Sequence, residues 1–217
     1  MNGINMAHKR IIVVMMLAAI LVSAAWCRDA KAITGSISLY GLNSEADLVI
    51  MGKIKKRNMV FKKVKGPDGK LFPSIETEGS ILRVSVKEVI SARKPEWKAK
   101  EDIIIYQKEF TLSSAFLKEG STYLLFLKEA PMNIHFAEKY SLPHDGYFDV
   151  LYGRQGRIDS SDTVTLEAAR KIIYVTGLKD KAQQIGELKK LLKSENPVLR
   201  ENAGETLRKE GISFNNE

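Results

Sequence analysis

Seven cations crowd one short stretch of this chain. Lys53, Lys55, Lys56, Arg57, Lys62, Lys63 and Lys65 fall within 13 residues, with no acidic residue among them. Positive charge at this density suits an anion: a lipid headgroup, a polyanionic glycan or a nucleic-acid backbone. The same lysines also suit a structural role, because a charged edge keeps a hairpin from pairing with other chains. Pro67 followed by Asp68-Gly69 reads as the turn of such a hairpin. Edge protection is the simpler of the two roles, and both stand at this point.

Other chemistry is thinner. His135 and His144 lie near Glu138, Asp145 and Asp149, but the spacing matches no metal-ligand pattern such as His-Glu-x-x-His. They read as surface residues of a long loop, 131–146, and long loops often carry specificity. Gly153-x-x-Gly156 is a turn rather than a phosphate cradle. Glu76 with Glu78, and Glu101 with Asp102, read as solvated turn carboxylates. Gly-x-Ser-x-Gly does not occur, and Cys27 is the only cysteine. The sequence thus predicts a non-catalytic protein with no metal site and no cofactor.

The N-terminus predicts an address. His8, Lys9 and Arg10 form a positive start, residues 11–26 are apolar or small, and Ala30-Lys31-Ala32 supplies the small-x-small pattern read by a signal peptidase. The apolar run is shorter than the roughly 20 residues that span a bilayer core. The expectation is a signal peptide over 1–32, cut after Ala32, and a product in the periplasm or outside the cell. Retention of this segment would be the only link to a membrane. Cleavage would remove Cys27, leaving a domain held by its core without disulfides. Of the formal net charge of +8 on 217 residues, most would remain. Export disfavours nucleic acid as the partner.

Two kinds of element must position these residues. Up to about Ile158 the chain alternates apolar and polar residues with period two. Leu48, Ile50 and Ile54 share one face, with Gly52 marking a bend or bulge between them. Leu82, Val84 and Val86 point one way, and Arg83, Ser85 and Lys87 the other. Residues 102–106 and 147–152 form further strands. Ser121-Thr122-Tyr123-Leu124-Leu125-Phe126-Leu127 is the most apolar segment and reads as a central strand. Gly153 and Gly156 are expected at positive φ in a turn into a last short strand. From Thr163 the period becomes helical, with Leu166, Ala169, Ile172 and Ile173 on one stripe and Gly177 as the stop. Ile185, Leu188, Leu191 and Leu192 mark a second helix. Pro197 opens a third, with Val198, Ala203 and Leu207 inward and Gly211 at its end.

Three segments, Ala46-Asp47-Leu48-Val49-Ile50-Met51-Gly52-Lys53-Ile54, Val84-Ser85-Val86-Lys87-Glu88-Val89-Ile90 and Gly120-Ser121-Thr122-Tyr123-Leu124-Leu125-Phe126-Leu127, together resemble the bacterial exported domains related to tissue inhibitors of metalloproteinases. The resemblance covers roughly residues 38–158. It implies the oligonucleotide/oligosaccharide-binding (OB) barrel also seen in netrin modules, and it carries fold rather than chemistry. The animal inhibitors chelate zinc through an N-terminal cysteine. The expected mature N-terminus here is Ile33, so metalloprotease inhibition does not carry over. The stretch from Ile185 through Asn196-Pro197 to Arg200, Ala203 and Leu207 is similar to a single HEAT-type helical hairpin. One such repeat cannot bury its own face.

The resulting expectation is an α+β chain: signal peptide 1–32, an OB-like antiparallel β-barrel over 33–160, and about three helices over 161–217. Its function is expected to be binding or scaffolding, with a protein partner favoured by an unpaired hairpin and open strands. The alternatives are an anion- or glycan-binding module using residues 53–65, or a hydrolase with unrecognised residues.

Overall fold

The computed structural model describes residues 37–107, 117–130 and 146–213, without the side chains of 62–64 and 71–78. The expected signal segment, with Ala30 and Ala32, lies outside the described residues. Six strands and four helices are described: α1 (Leu39–Glu45), β1 (Leu48–Lys65), β2 (Leu71–Ala92), β3 (Asp102–Gln107), β4 (Thr122–Glu129), β5 (Tyr147–Val150), β6 (Arg157–Asp159), α2 (Thr163–Thr176), α3 (Lys181–Leu191) and α4 (Pro197–Lys209). From Ile37 onward the chain is one compact unit. No helix among the described residues is long and apolar enough to cross a membrane.

Strands pair in the order β1-β2-β3-β5-β4, and β4 pairs back onto β1. This closes a five-stranded barrel, consistent with an OB-like barrel followed by helices. The barrel is mixed, because β3 and β5 run parallel. The long β1 and β2 bend around it through register shifts, one of them between Met51 and Gly52. A Cβ on Gly52 would sit 2.6 Å from Val84 Cγ1 and 3.1 Å from Ile50 Cδ1, so glycine lets the barrel interior close at that bulge. Beyond the barrel, β1 and β2 continue as a two-stranded arm ending in a turn with Gly69 at φ 76°.

Two cores result. The barrel interior gathers Leu48, Ile50, Ile54, Leu82, Val84, Ile103, Ile105, Leu125, Leu127 and Phe148, with Trp97 edge-on to Phe148 at 5.2 Å. The second core lies between the outside of the barrel and the helices. Val49 and Met51 of β1, Leu124 and Phe126 of β4 and Ile158 of β6 share it with residues of all four helices. Strand β4 is therefore buried on both faces. That explains its unbroken apolar sequence, since neither parity of side chain meets water.

The helices start and stop where polar side chains satisfy their free backbone groups. Asp162 caps α2, which starts at Thr163 as expected; Asp180 caps α3; Asn196 caps α4, with Pro197 at its first turn. Gln184 donates to the Thr176 carbonyl at 3.1 Å, tying α3 to the end of α2. Arg170 on α2 grips Glu88 on β2 with two hydrogen bonds (2.8 and 2.5 Å), which holds the glutamate below its usual pKa and raises the arginine.

The hairpin α3–α4 packs on α1 and α2. Helix α1 was not evident in the sequence, and it is clasped to α4. The Leu39 N–H donates to Asn202 Oδ1 at 2.7 Å, and Tyr40 Oη donates to Glu210 Oε1 at 3.1 Å. Burial and then this bond raise the tyrosine pKa, while Lys181 at 2.6 Å and the bond from Tyr40 lower that of Glu210. Asn202 is buried and also donates to the Val198 carbonyl at 2.9 Å. Asn202→Leu is expected to leave the buried Leu39 N–H without an acceptor and to destabilise the chain by about 1–3 kcal/mol, measured by urea unfolding.

Two sequence expectations are corrected. The barrel, expected to be antiparallel, is mixed, because a closed ring of five strands cannot alternate direction throughout and β3 meets β5 in parallel. The second concerns the turn before β6. Of Gly153 and Gly156, only Gly153 has positive φ (56°), and Tyr152 joins it in the left-handed region at φ 49°. Gly156 is required instead by close approach, since its Cβ would sit 2.0 Å from the Leu151 carbonyl oxygen.

Candidate functional site

The two sides of the barrel differ in what covers them. The helices occupy the outside of the β4 and β6 wall and the start of β1. Register places the outward residues of the opposite wall. Lys53 is across from Ser85, Lys56 from Arg83, Ser85 from Asp102, Arg83 from Ile104 and Ile81 from Tyr106. Their neighbours Ile54, Val84 and Ile103 point into the barrel. The β-bulge between Ile54 and Lys56 leaves Lys55 unpaired in the register, turned to the same outer side.

A shallow, open cleft of about 420 Å³ lies on this wall, lined by Lys55, Arg83, Lys100, Asp102, Ile104 and Gly146. Each lining group has a local reason for its place. Lys55, Arg83, Asp102 and Ile104 stand on three neighbouring strands. Lys100 follows a short 3-10 turn, Pro95–Ala99, that is pinned by the buried Trp97. Gly146, at φ 78°, lets Lys100 cross close to the backbone, because a Cβ there would lie 2.8 Å from its Nζ. Gly79 does the same for β3, with its Cβ position 2.5 Å from the Gln107 carbonyl and 3.0 Å from the Tyr106 ring.

The electrostatics are one-sided. Among the described residues the cleft is lined by three cations and one carboxylate. Asp102 is engaged by Lys55, with Nζ at 2.8 Å from one carboxylate oxygen and 3.1 Å from the other. Arg83 and Lys100 line the cleft with no ion-pair partner among the described residues. The cleft thus offers a guanidinium and an ammonium to an incoming anion, beside an exposed carboxylate able to accept hydrogen bonds.

The basic run does not form one surface. Lys53, Lys55, Lys56 and Lys65 are exposed, and only Lys55 lines the cleft. Arg57 is half-buried, across from the inward-facing Leu82, and its backbone N–H donates to Glu119 at 3.2 Å. The side chains of Lys62 and Lys63 lie outside those described. The run therefore spreads along β1 and its arm. Arg83, Lys100 and Asp102 were not singled out as site residues from sequence. The outward parity of Arg83 was legible, and Asp102, read as a solvated carboxylate at the start of the strand 102–106, is the first residue of β3. His135, His144, Glu138 and Asp145 lie outside the described residues, and Asp149 is exposed on β5, where its carboxylate accepts the Val150 N–H at 2.8 Å. Among the described residues no group of three His, Cys, Asp or Glu comes together to hold a metal.

No protein-family model matches the chain, and the comparison with curated proteins gave no match either.

Proposed function

We propose that this chain is a non-catalytic binding module for an anionic ligand, held on the outer β1-β2-β3 wall by Arg83 and Lys100. The observation that carries the reading is a cleft in which two cations, Arg83 on β2 and Lys100 beside the start of β3, have no ion-pair partner among the described residues. The corresponding face of OB barrels is a binding surface in many settings. A protein partner would need an unpaired helical hairpin or open barrel strands. Here the hairpin's apolar residues share a core with α1 and α2, and the barrel is closed. Anion binding is accordingly the better-supported of the two. The N-terminal pattern supports export of the module, and the three matched segments support kinship with the exported inhibitor-related barrels, with the last two helices as a HEAT-like appendage.

The test is chromatographic. Joint substitution Arg83→Ser and Lys100→Ser is expected to lower affinity for heparin about tenfold, so that the protein elutes at markedly lower salt. The melting temperature should not change, since neither side chain has an ion-pair partner among the described residues. Substituting Lys53 and Lys65, which remove the same charge outside the cleft, should shift elution much less. Equal shifts for the two pairs would reject the cleft as the site.

A further inference from the structure

We infer that the anion bound in this cleft is an acidic sugar, carrying hydroxyl groups beside its negative charge. The inference rests on the anion-binding reading and adds the ligand's class. Its basis is Asp102. A site for a bare polyanion gains nothing from a carboxylate among its cations, because like charges repel across the cleft. A sugar acid needs both kinds of group. Its carboxylate takes the planar donors of Arg83, and Lys100 adds charge. Its hydroxyls, which are donors as well as acceptors, need an acceptor such as a carboxylate.

The geometry places that acceptor. Asp102 opens β3 two residues before Ile104, and Ile104 stands directly across from Arg83. Carboxylate, guanidinium and apolar floor therefore share one outward face. Lys55 pairs with Asp102 in the cleft while leaving it more than half exposed, at 58 % of its side-chain surface. The apolar part of the floor, Ile104, suits the C–H face of a sugar ring. An inorganic polyanion or a phospholipid headgroup would use the two cations and leave the carboxylate a liability.

Two probes of high negative charge separate these cases. Polygalacturonate has one carboxylate and free hydroxyls on every sugar, whereas polyphosphate has charge and no hydroxyl. Binding of each to the purified protein is measured by calorimetry at one ionic strength, for wild type and Asp102→Ala. The variant is expected to bind polygalacturonate about fivefold more weakly, having lost a charged acceptor. It should bind polyphosphate about twofold more tightly, having lost a repelling charge and released Lys55. Tightening of both probes, or weakening of both, overturns the sugar assignment while the anion reading stands. Failure of wild type to bind either probe overturns the anion reading itself. Asp102→Ser, also too short to reach a ligand hydroxyl, gives the same comparison should the alanine variant fold poorly.

Discussion

Phe126→Ala is expected to lower the stability of the folded chain by about 3–5 kcal/mol, the range for emptying a large buried aromatic site. Phe126 is fully buried, and it lies on the outward face of β4, in the core shared by barrel and helices. Across the ladder from it stands Val49, and its carbonyl accepts the Leu151 N–H at 2.9 Å. Backbone on both sides is fixed, so the cavity cannot collapse by shifting the strand. For a chain of this size the loss corresponds to a drop in Tm of roughly 10 °C, read by circular dichroism. Phe126→Leu, which keeps most of the volume, should cost no more than about 1.5 kcal/mol. A shift under about 2 °C for the alanine variant would mean that the helices do not seal this face.

Gly156→Ala is the second large effect, with an expected loss of about 3 kcal/mol or more through backbone strain. The added methyl would lie 2.0 Å from the Leu151 oxygen and 2.9 Å from its carbonyl carbon. Leu151 cannot retreat, because its N–H is bonded to Phe126. Gln155, next in the chain to Gly156, accepts the Ile37 N–H at 3.0 Å. The crowding follows from topology. β5 and β6 pair with successive stretches of the same edge of β4, so the chain between them must fold back on itself within a few residues. Gly186→Ala is the informative contrast. It adds the same methyl in the interior of α3, where nothing lies within 4 Å, and is expected to stabilise by about 0.5–1 kcal/mol. Chemical denaturation of both variants checks the two signs together.

Much of the barrel was legible in sequence because the strands send alternate side chains into its interior. The alternation at 82–87 and the bend at Gly52 came from that pattern, and the continuous apolar run of β4 marked it as a central strand; that both its faces are covered is seen only in the fold. Helix α1 was not legible. Its seven residues include Gly41, Asn43 and Ser44, weak helix formers whose helix is held by Ser38 and by Asn202 from the far end of the chain. The arm was legible from its turn, since Pro67-Asp68-Gly69 marked the hairpin that β1 and β2 make there. The basic run was visible as composition, but composition does not record register. Arg83 and Lys100 lie 28 and 45 residues from Lys55 in the numbering, and only the bulge in β1 and the turn before β3 bring the three to one cleft.

The clasp between α1 and α4 imposes an order on how the molecule is made. Leu39 and Asn202 are 163 residues apart, and Tyr40 and Glu210 are 170. A chain that emerges from its N-terminus presents the first helix of the unit long before its partner exists. Contacts so distant in sequence form late, after the intervening loops have closed. Helix α1, and with it the cover over Val49 and Met51, therefore waits for the last helix, and the barrel spends its synthesis with one apolar wall open.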